Sequence, residues 1–501
     1  VNRDAPVGYA AREVALERVL AQALRFPDLA YAGAASSDAR IEPRDDARLD
    51  PRDAALARAI EHAVVRRYLT LIACIRPHLT KNWPLLEKPV QAALLGGAAQ
   101  ILFLDRVPAA AAVDASVEWT KRRLRPGAGG LVNAVLRKVA ASVAERLPPC
   151  EETRALIADQ TRRNIVPLSD GSALRLSIDA FSEDAAANLS ERTSHARELI
   201  LHWIGAFGFR ETTRLALHDL SEAPIIVTTA TDVVVPRASD AVGSTVDSTV
   251  GSTVGSTGSD AAPASTDTQT DSNIEPHEER GFGVWKGSHS EMTAMLAAHP
   301  ALRVQDPTSA MTVASLAPLL PRAPQLIVDL CAGRGTKTKQ LAELFPNATI
   351  FATDPDDARF AALAELRHRH PGIKPLSPQS VFREAAGKAD LLLLDVPCSN
   401  SGVLARRPEA RYRFSKARTA AVIELQQKIA DPAIGLVAPG GAVIYATCSI
   451  ERAENESQVK RLASRFGLTL AVERSIMPAG LPGDSPRVYR DGGYHALLWR
   501  T

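Results

Sequence analysis

The chain has 501 residues, too many for one ordinary core, so roughly two to four domains are expected. A hydrophobic fraction of 46% and a charged fraction of 23% are those of a soluble globular protein, and no apolar run reaches the roughly 18 residues of a membrane span. Five scattered cysteines argue against a disulfide framework, and no CxxC or HxH cluster suggests a metal site. The opening VNRDAPVGYAAREV carries no signal-peptide core, so a reducing, cytoplasmic setting is expected, with neither membrane nor metal involved. The net charge of +2 hides an asymmetry. Residues 1–150 hold 22 Lys and Arg against 16 Asp and Glu, whereas residues 236–280 hold 2 against 8. The mildly basic remainder suits a nucleic-acid partner.

Residues 8–148 read as all helix. Leu16, Val19, Leu20, Ala23 and Leu24 recur on one helical face. Asp50-Pro51 is a helix start that leads into Leu56, Ile60, Val64 and Tyr68. Further helices are expected over Val90 to Leu104 and Ala109 to Leu124, the latter ending in the basic run Lys121-Arg122-Arg123-Leu124-Arg125. Pro126-Gly127 breaks that helix, and Gly130 to Arg137 opens the last one of the unit. In residues 149–235 a helix is expected over Ala196 to Leu217, with Trp203 and Phe207 in the core, and a strand over Ala223 to Thr229. Residues 236–280 are acidic and of low complexity. Val242 to Asp260 nearly repeats Gly-Ser-Thr-Val, with little to bury, and is expected to be a disordered insertion. Order is expected to return near Gly281 to Trp285.

The remainder alternates strand and helix. Strands are expected at Leu326–Leu330, Ala348–Ala352, Leu391–Asp395 and Ala442–Ala446, with helices at Thr338–Leu344 and Ala358–His370. The four consecutive leucines from Leu391 have no polar alternation, as in a strand buried on both faces of a parallel sheet. That pattern predicts a doubly wound, Rossmann-like sheet, whose ligands bind at the carboxyl ends of the strands. At those ends stand Asp395, followed by Val396-Pro397-Cys398-Ser399, and Thr447-Cys448-Ser449. The first strand feeds the loop from Asp329 through Cys331, Ala332, Gly333, Arg334, Gly335, Thr336 and Lys337 to Thr338. It is not a phosphate-binding loop, because Thr336 rather than Gly precedes the lysine, nor a full G-x-G-x-x-G. The second strand ends at Asp354, where a carboxylate can take both hydroxyls of a ribose. Together these describe an adenosine-type cofactor site. Two cysteines beside it suit one chemistry in particular. A thiolate adding to C6 of a pyrimidine makes C5 nucleophilic towards a methyl sulfonium, and the thiolate leaves after the C5 proton is lost. Asp395, three residues before Cys398, could favour the addition from the N3 side.

The pieces DLCAGRGTKT, DVPCSNSGV and ATCS, with VQDPTSA at 304–310, resemble the Sun-type RNA cytosine-C5 methyltransferases. GLVNAVLRKV, AAAAVDASVEWTKRRL and ARLDPRDAALARAIEHAVV resemble the helical NusB family of RNA-binding bundles. The resemblance implies a multidomain protein. Residues 1–148 are a NusB-like RNA-binding bundle. Residues 149–235 hold connecting helices and the start of a small α+β RNA-positioning unit, and 236–280 are the insertion. Residues 281–501 complete the small unit and form a Rossmann-like methyltransferase domain, its catalytic core about 320–501. It implies S-adenosyl-L-methionine as cofactor, held by Cys331 to Lys337, Asp354, Ser380 and Asp395. It makes Cys448 the nucleophile and gives Cys398 a part in product release. The implied reaction is methylation of C5 of one cytosine in small-subunit (16S) ribosomal RNA, free or in an early particle, by a monomer.

The chain departs from the family pattern at four places. Gly333, Arg334 and Thr336 replace Ala, Pro and Gly of the usual loop. No carboxylate follows the next strand near Ser380, where one usually meets the adenine. Thr228-Thr229 stand for the usual Arg-Asn, and Asp491-Gly492-Gly493-Tyr494 for Asp-Gly-Phe-Phe. Both cysteines and Asp395 are intact, so an active enzyme is expected. The rival readings are the same chemistry on another RNA, such as transfer RNA, and a non-catalytic RNA-binding assembly factor.

Overall fold

The computed structural model describes residues 9–30, 49–228, 273–299 and 301–501. The low-complexity stretch lies outside the described residues up to position 272. Five helices come first: α1 (Tyr9–Arg25), α2 (Pro51–Ile75), α3 (Lys88–Phe103), α4 (Ala109–Arg123) and α5 (Pro126–Ser142). Asp50 caps α2, its carboxylate accepting from the amides of Arg52 and Asp53, and Pro51 occupies the first turn. α3 is the buried centre of the bundle, with Leu94, Leu95 and Ala98 fully enclosed. Its Gly96 and Gly97 admit neighbours on both sides. A Cβ at Gly96 would lie 2.6 Å from Leu16 of α1, and one at Gly97 would collide with Leu136 of α5. Pro126 is the first residue of α5 rather than a separate break, because a first-turn residue has no amide bond to lose. The basic run is less available than its composition suggests. Arg122 pairs with Glu118 at 2.9 Å, Arg123 with Glu17 at 3.5 Å and Arg125 with Glu87 at 2.6 Å.

The middle of the chain forms β1 (Val143–Leu147), α6 (Glu151–Ala158), β2 (Ile165–Pro167) and β3 (Ala173–Leu176), the strands pairing antiparallel in the order β1-β3-β2. Then come α7 (Ala185–Thr193), α8 (Arg197–Phe207) and α9 (Phe209–His218). The single helix expected over 196–217 is thus two, because Gly208 turns the chain at φ +80°, a conformation that ends a helix. Trp203 is fully buried, as expected of a core residue, and Phe207 packs at the edge of the same cluster. A second antiparallel sheet joins β4 (Ile226–Thr228), β5 (Ile274–Pro276) and β6 (Phe282–Trp285) in the order β4-β6-β5. β5 falls inside the stretch expected to be an insertion, so regular structure begins ahead of Gly281. α10 (His289–Ala298) and α11 (Pro307–Ala314) lead to the last unit.

That unit contains β7 (Leu326–Asp329), α12 (Thr336–Leu344), β8 (Thr349–Ala352), α13 (Asp357–Arg369), β9 (Ile373–Pro375), α14 (Pro378–Glu384) and β10 (Ala389–Asp395). It continues with α15 (Lys416–Ala433), β11 (Val437–Thr447), α16 (Glu456–Phe466), β12 (Leu468–Ile476) and β13 (Gly493–Arg500). Its seven strands lie in the order β12-β13-β11-β10-β7-β8-β9. From β11 to β9 every neighbouring pair is parallel, while β13 runs antiparallel to both β11 and β12. The sheet is Rossmann-like, as expected, but mixed, with three further strands, β9 at one edge and β12 and β13 at the other, that the alternation of strand and helix did not reveal. The four leucines of β10 are all fully buried: Leu391 and Leu393 in the core on one face, Leu392 and Leu394 in the core on the other. Burying both faces stabilises the strand by about 2 kcal/mol per leucine. Strand order reverses between β7 and β10, and the crevice outside a reversal point is where such sheets take ligands. Among the described residues no helix is long and apolar enough to cross a membrane.

Candidate active site

β10 and β11 are parallel neighbours, with Asp395 registered opposite Ala446. Cys398, three residues beyond Asp395, and Cys448, two beyond Ala446, therefore leave the sheet at the same level. Their sulfurs are 2.9 Å apart. Backbone packing holds the two loops together. The Gly402 amide donates to the Cys448 carbonyl (3.0 Å), and the Gly492 amide donates to the Gly402 carbonyl (2.7 Å). A Cβ on Gly402 would lie 2.7 Å from the Gly492 backbone and 2.8 Å from the Cys448 carbonyl, so no larger residue fits. Beneath the loops Glu454 is fully buried. One carboxylate oxygen accepts from the Ser399 amide at 2.8 Å, and the other accepts from the Ser449 hydroxyl at 2.9 Å. Asn455 adds a second tie, accepting from the Thr447 hydroxyl and donating to the Ser449 carbonyl. Asn400 adopts φ +64°, a left-handed conformation that asparagine tolerates better than most residues, and its side-chain oxygen accepts from the Cys448 thiol at 3.3 Å. Glu454, Asn455 and Asn400 were not singled out from sequence. The one available signal was their place in or just beyond the two cysteine motifs.

Asp395 accepts from the Lys337 ammonium at 2.6 Å. Burial pushes Lys337 down, but the facing Asp395 carboxylate outweighs it and leaves the ammonium above its ordinary pKa. Asp329, at the end of β7, accepts from the Thr338 hydroxyl at 2.7 Å, and burial pushes its carboxyl up to about 7. Its hydrogen bond with Cys448, together with burial, holds the Cys398 thiol well above the usual range. A protonated Cys398 beside Cys448 is the arrangement in which one sulfur can donate to the other.

Two cavities meet at this point. One, of about 550 Å³, is lined by Asp329, Lys337, Asp395, Cys398, Cys448 and Asp306, among others. The other, of about 660 Å³, is lined by Thr353, Asp354, Asp395, Pro378, Phe382 and Ile429, among others. Cys331, Gly333, Arg334, Asp395 and Cys398 belong to both. The residues expected to hold the cofactor therefore divide. Cys331, Gly333, Arg334, Asp354 and Asp395 line the second cavity, whereas Ala332, Thr336 and Lys337 line the first alone. Gly335 lines neither: at φ +84° it packs against Leu363 and Leu366 of α13. Ser380 lines neither as well. Its hydroxyl accepts from that of Ser377, the residue that caps α14, while Pro378 and Phe382, four residues apart on one helical face, present the cavity wall. At the position expected to carry a carboxylate, the wall is apolar. The residues present suit a nucleoside cofactor. The Gly333 amide donates to Asp354 at 3.0 Å, which brings the glycine loop against the second-strand carboxylate. Two buried polar atoms at the cavities, Asp329 Oδ1 and Thr353 Oγ1, have no hydrogen-bond partner among the described residues. Among those residues no group of three or more His, Cys, Asp or Glu could hold a metal ion.

Residues 316–473 match the family described as 16S rRNA methyltransferase RsmB/F, and residues 10–141 match the NusB family. The ribosomal RNA small subunit methyltransferase B of Vibrio cholerae is 34% identical over 206 residues, 39% of this chain and 45% of that protein. The probable ribosomal RNA small subunit methyltransferase B of Synechocystis is 36% identical over 173 residues, 32% of this chain and 36% of that protein. The match thus spans less than half the length of either relative. The crystal structure of PH0851 is similar over 99% of both chains at a TM-score of 0.61 and 19% identity, a likeness of fold. Residues 316–473 are thus similar to the 16S rRNA methyltransferase RsmB/F family, and residues 10–141 to the NusB family.

Proposed function

We propose that the protein methylates C5 of a cytosine in small-subunit ribosomal RNA through a covalent cysteine adduct. The observation that carries this reading is the pair of thiols 2.9 Å apart, Cys448 lining the first cavity and Cys398 lining both, with the Lys337–Asp395 ion pair beside them. A redox or metal-binding pair of thiols would not call for a carboxylate–lysine pair and an adjoining nucleoside-sized cavity. A non-catalytic RNA-binding role leaves all of these unexplained. The cytosine enters the 550 Å³ cavity extruded from its stack, because C6 is inaccessible in a stacked helix. Cys448 forms a bond from sulfur to C6, and C5 becomes the nucleophile. Asp395, oriented by Lys337, faces the base edge and favours the addition. Gly333 and Asp354, with the apolar wall of Phe382 and Ile429, would hold S-adenosyl-L-methionine, which would supply the methyl group. A base takes the C5 proton, the electrons of the C5–H bond re-form the C5–C6 double bond, and the sulfur–C6 bond breaks to restore the Cys448 thiolate, with Cys398 assisting release. The helical domain and the small sheet of β4 to β6 position the RNA.

The test is methyl transfer from labelled S-adenosylmethionine to unmodified small-subunit RNA, with base mapping. The expected result is one modified cytosine, with turnover abolished in Cys448→Ala. Cys398→Ala is expected to accumulate an enzyme–RNA adduct that survives a denaturing gel. A folded, RNA-binding Cys398→Ala protein that forms no adduct would overturn the assigned roles.

A further inference from the structure

The cations around the two cavities are not equally occupied. Lys337 faces Asp395 at 2.6 Å, Arg406 faces Asp491 at 2.6 Å, Lys428 faces Glu424 at 2.6 Å and Arg359 faces Asp354 at 3.7 Å. Two arginines stand apart from this pattern. Arg334 is exposed and has no carboxylate partner among the described residues. Arg407 is 37% exposed and reaches only Glu409, at 3.8 Å. These two come from different loops, one after β7 and one beyond β10, yet both line both cavities. They therefore stand at the rim where the cavities join, above an interior rich in carboxylates: Asp306, Asp329, Asp395 and Asp491 all line the cysteine cavity.

That distribution poses an electrostatic problem for a polyanion. A nucleotide whose base is extruded into the cysteine cavity brings its own phosphate to the rim, since the sugar–phosphate backbone cannot follow the base inward. Lys337 and Arg406 are already engaged by Asp395, Asp491 and Asp306 within the cavity, so the charge that meets the phosphate must come from further cations at the mouth. We propose that Arg334 and Arg407 form a clamp for the phosphate of the target nucleotide, seating it over the joined cavities. The clamp rests on the RNA-methyltransferase reading above. A planar guanidinium can take two phosphate oxygens at once, and two of them on opposite loops would fix the register of the backbone as well as its charge. Neither arginine touches the reacting atoms, so both are positioning residues.

The experiment compares the full-length wild type with Arg334→Ala, Arg407→Ala, the double variant and Arg334→Lys. It measures kcat and KM for an unmodified small-subunit RNA transcript and for S-adenosylmethionine over a series of salt concentrations. Each alanine variant is expected to raise the KM for RNA about tenfold and to lower the slope of log KM against log salt by about one, a larger change than in kcat at saturating RNA or in the KM for the cofactor. Arg334→Lys keeps the charge and is expected to restore the slope. Wild-type RNA KM and salt slope in the double variant would overturn the clamp. So would a raised cofactor KM with RNA binding unchanged, which would give the arginines to the cofactor's carboxylate instead. Absence of methyl transfer by the wild type would overturn the RNA-methyltransferase reading and the clamp together, whereas wild-type transfer with indifferent variants removes the clamp alone. Thermal melting of each variant shows whether the fold is kept.

Discussion

Glu454 ties together what the two cysteines need. Burial pushes its carboxyl up, and the groups that pull it back are the Ser399 amide and the Ser449 hydroxyl, one on each cysteine loop. A Gln426 side-chain amide donates to it as well, at 3.1 Å. With three donors aimed at two oxygens, a glutamine would turn one acceptor into a donor facing a donor. Glu454→Gln is therefore expected to lower kcat by about 10- to 100-fold while the KM for RNA changes less than about threefold, because misplacing a reacting group by a fraction of an ångström acts on the chemical step. Wild-type kcat in that variant would show that the loops hold their spacing without it. At this scale the cysteines and Asp395 were legible, since thiols flanked by small polar residues after apolar runs are unusual. Glu454 was not, because a carboxylate in a helix-rich stretch reads as solvated until burial is known. Ser380 misled for the related reason that position after a strand does not fix which face of α14 a side chain occupies.

Strand ends place the loops, and glycine lets them meet. Gly402 is wedged between the Gly492 and Cys448 backbones. Gly402→Ala is expected to destabilise the protein by about 1–3 kcal/mol and to depress turnover, as the added methyl must push one loop away. Denaturant unfolding and steady-state kinetics check this, and a variant matching the wild type in both would refute the close packing. The elements themselves were largely readable. Asp50-Pro51 marks the start of α2, and the leucine run marks β10. The break within 196–217 was missed although Gly208 is visible in the sequence, because an isolated glycine in an amphipathic pattern can be tolerated in a helix or can end one. β9 and β13 were missed for different reasons. The first is three residues long, and the second is an antiparallel partner whose sequence carries no mark of its direction.

At the level of the whole molecule the helical bundle is joined to the segment that follows the Cys398 loop. Arg66 of α2 donates to the carbonyls of Ala405 (3.0 Å), Leu220 (2.8 Å) and Ser221 (2.8 Å), which belong to two separate stretches. Arg411, fully buried, donates back to the Arg66 carbonyl at 3.1 Å, and the Tyr412 hydroxyl donates to the Val65 carbonyl at 2.7 Å. Arg66→Ala would leave three carbonyls short of a charged donor and is expected to lower unfolding free energy by about 2–4 kcal/mol. Arg66→Lys should rescue only part of this, because one ammonium does not span three acceptors as a planar fork does. Wild-type stability of Arg66→Ala would show that the bundle is held by apolar packing alone.

Local chemistry decided what the sequence could determine by itself. Burial of an apolar run on both faces, a capping aspartate, a glycine loop after a first strand and a thiol after a buried strand are all written within about ten consecutive residues, so they were readable in order. The tertiary structure alone decided which of these meet. Cys398 and Cys448 are 50 residues apart and touch because two strands are parallel neighbours in one register. Arg334 and Arg407 share a rim, and Arg122, Arg123 and Arg125 are matched to carboxylates, through contacts between separate segments or helical turns. Strand order and register are set by the joint burial of many side chains across the sheet, and no short stretch of chain carries that sum.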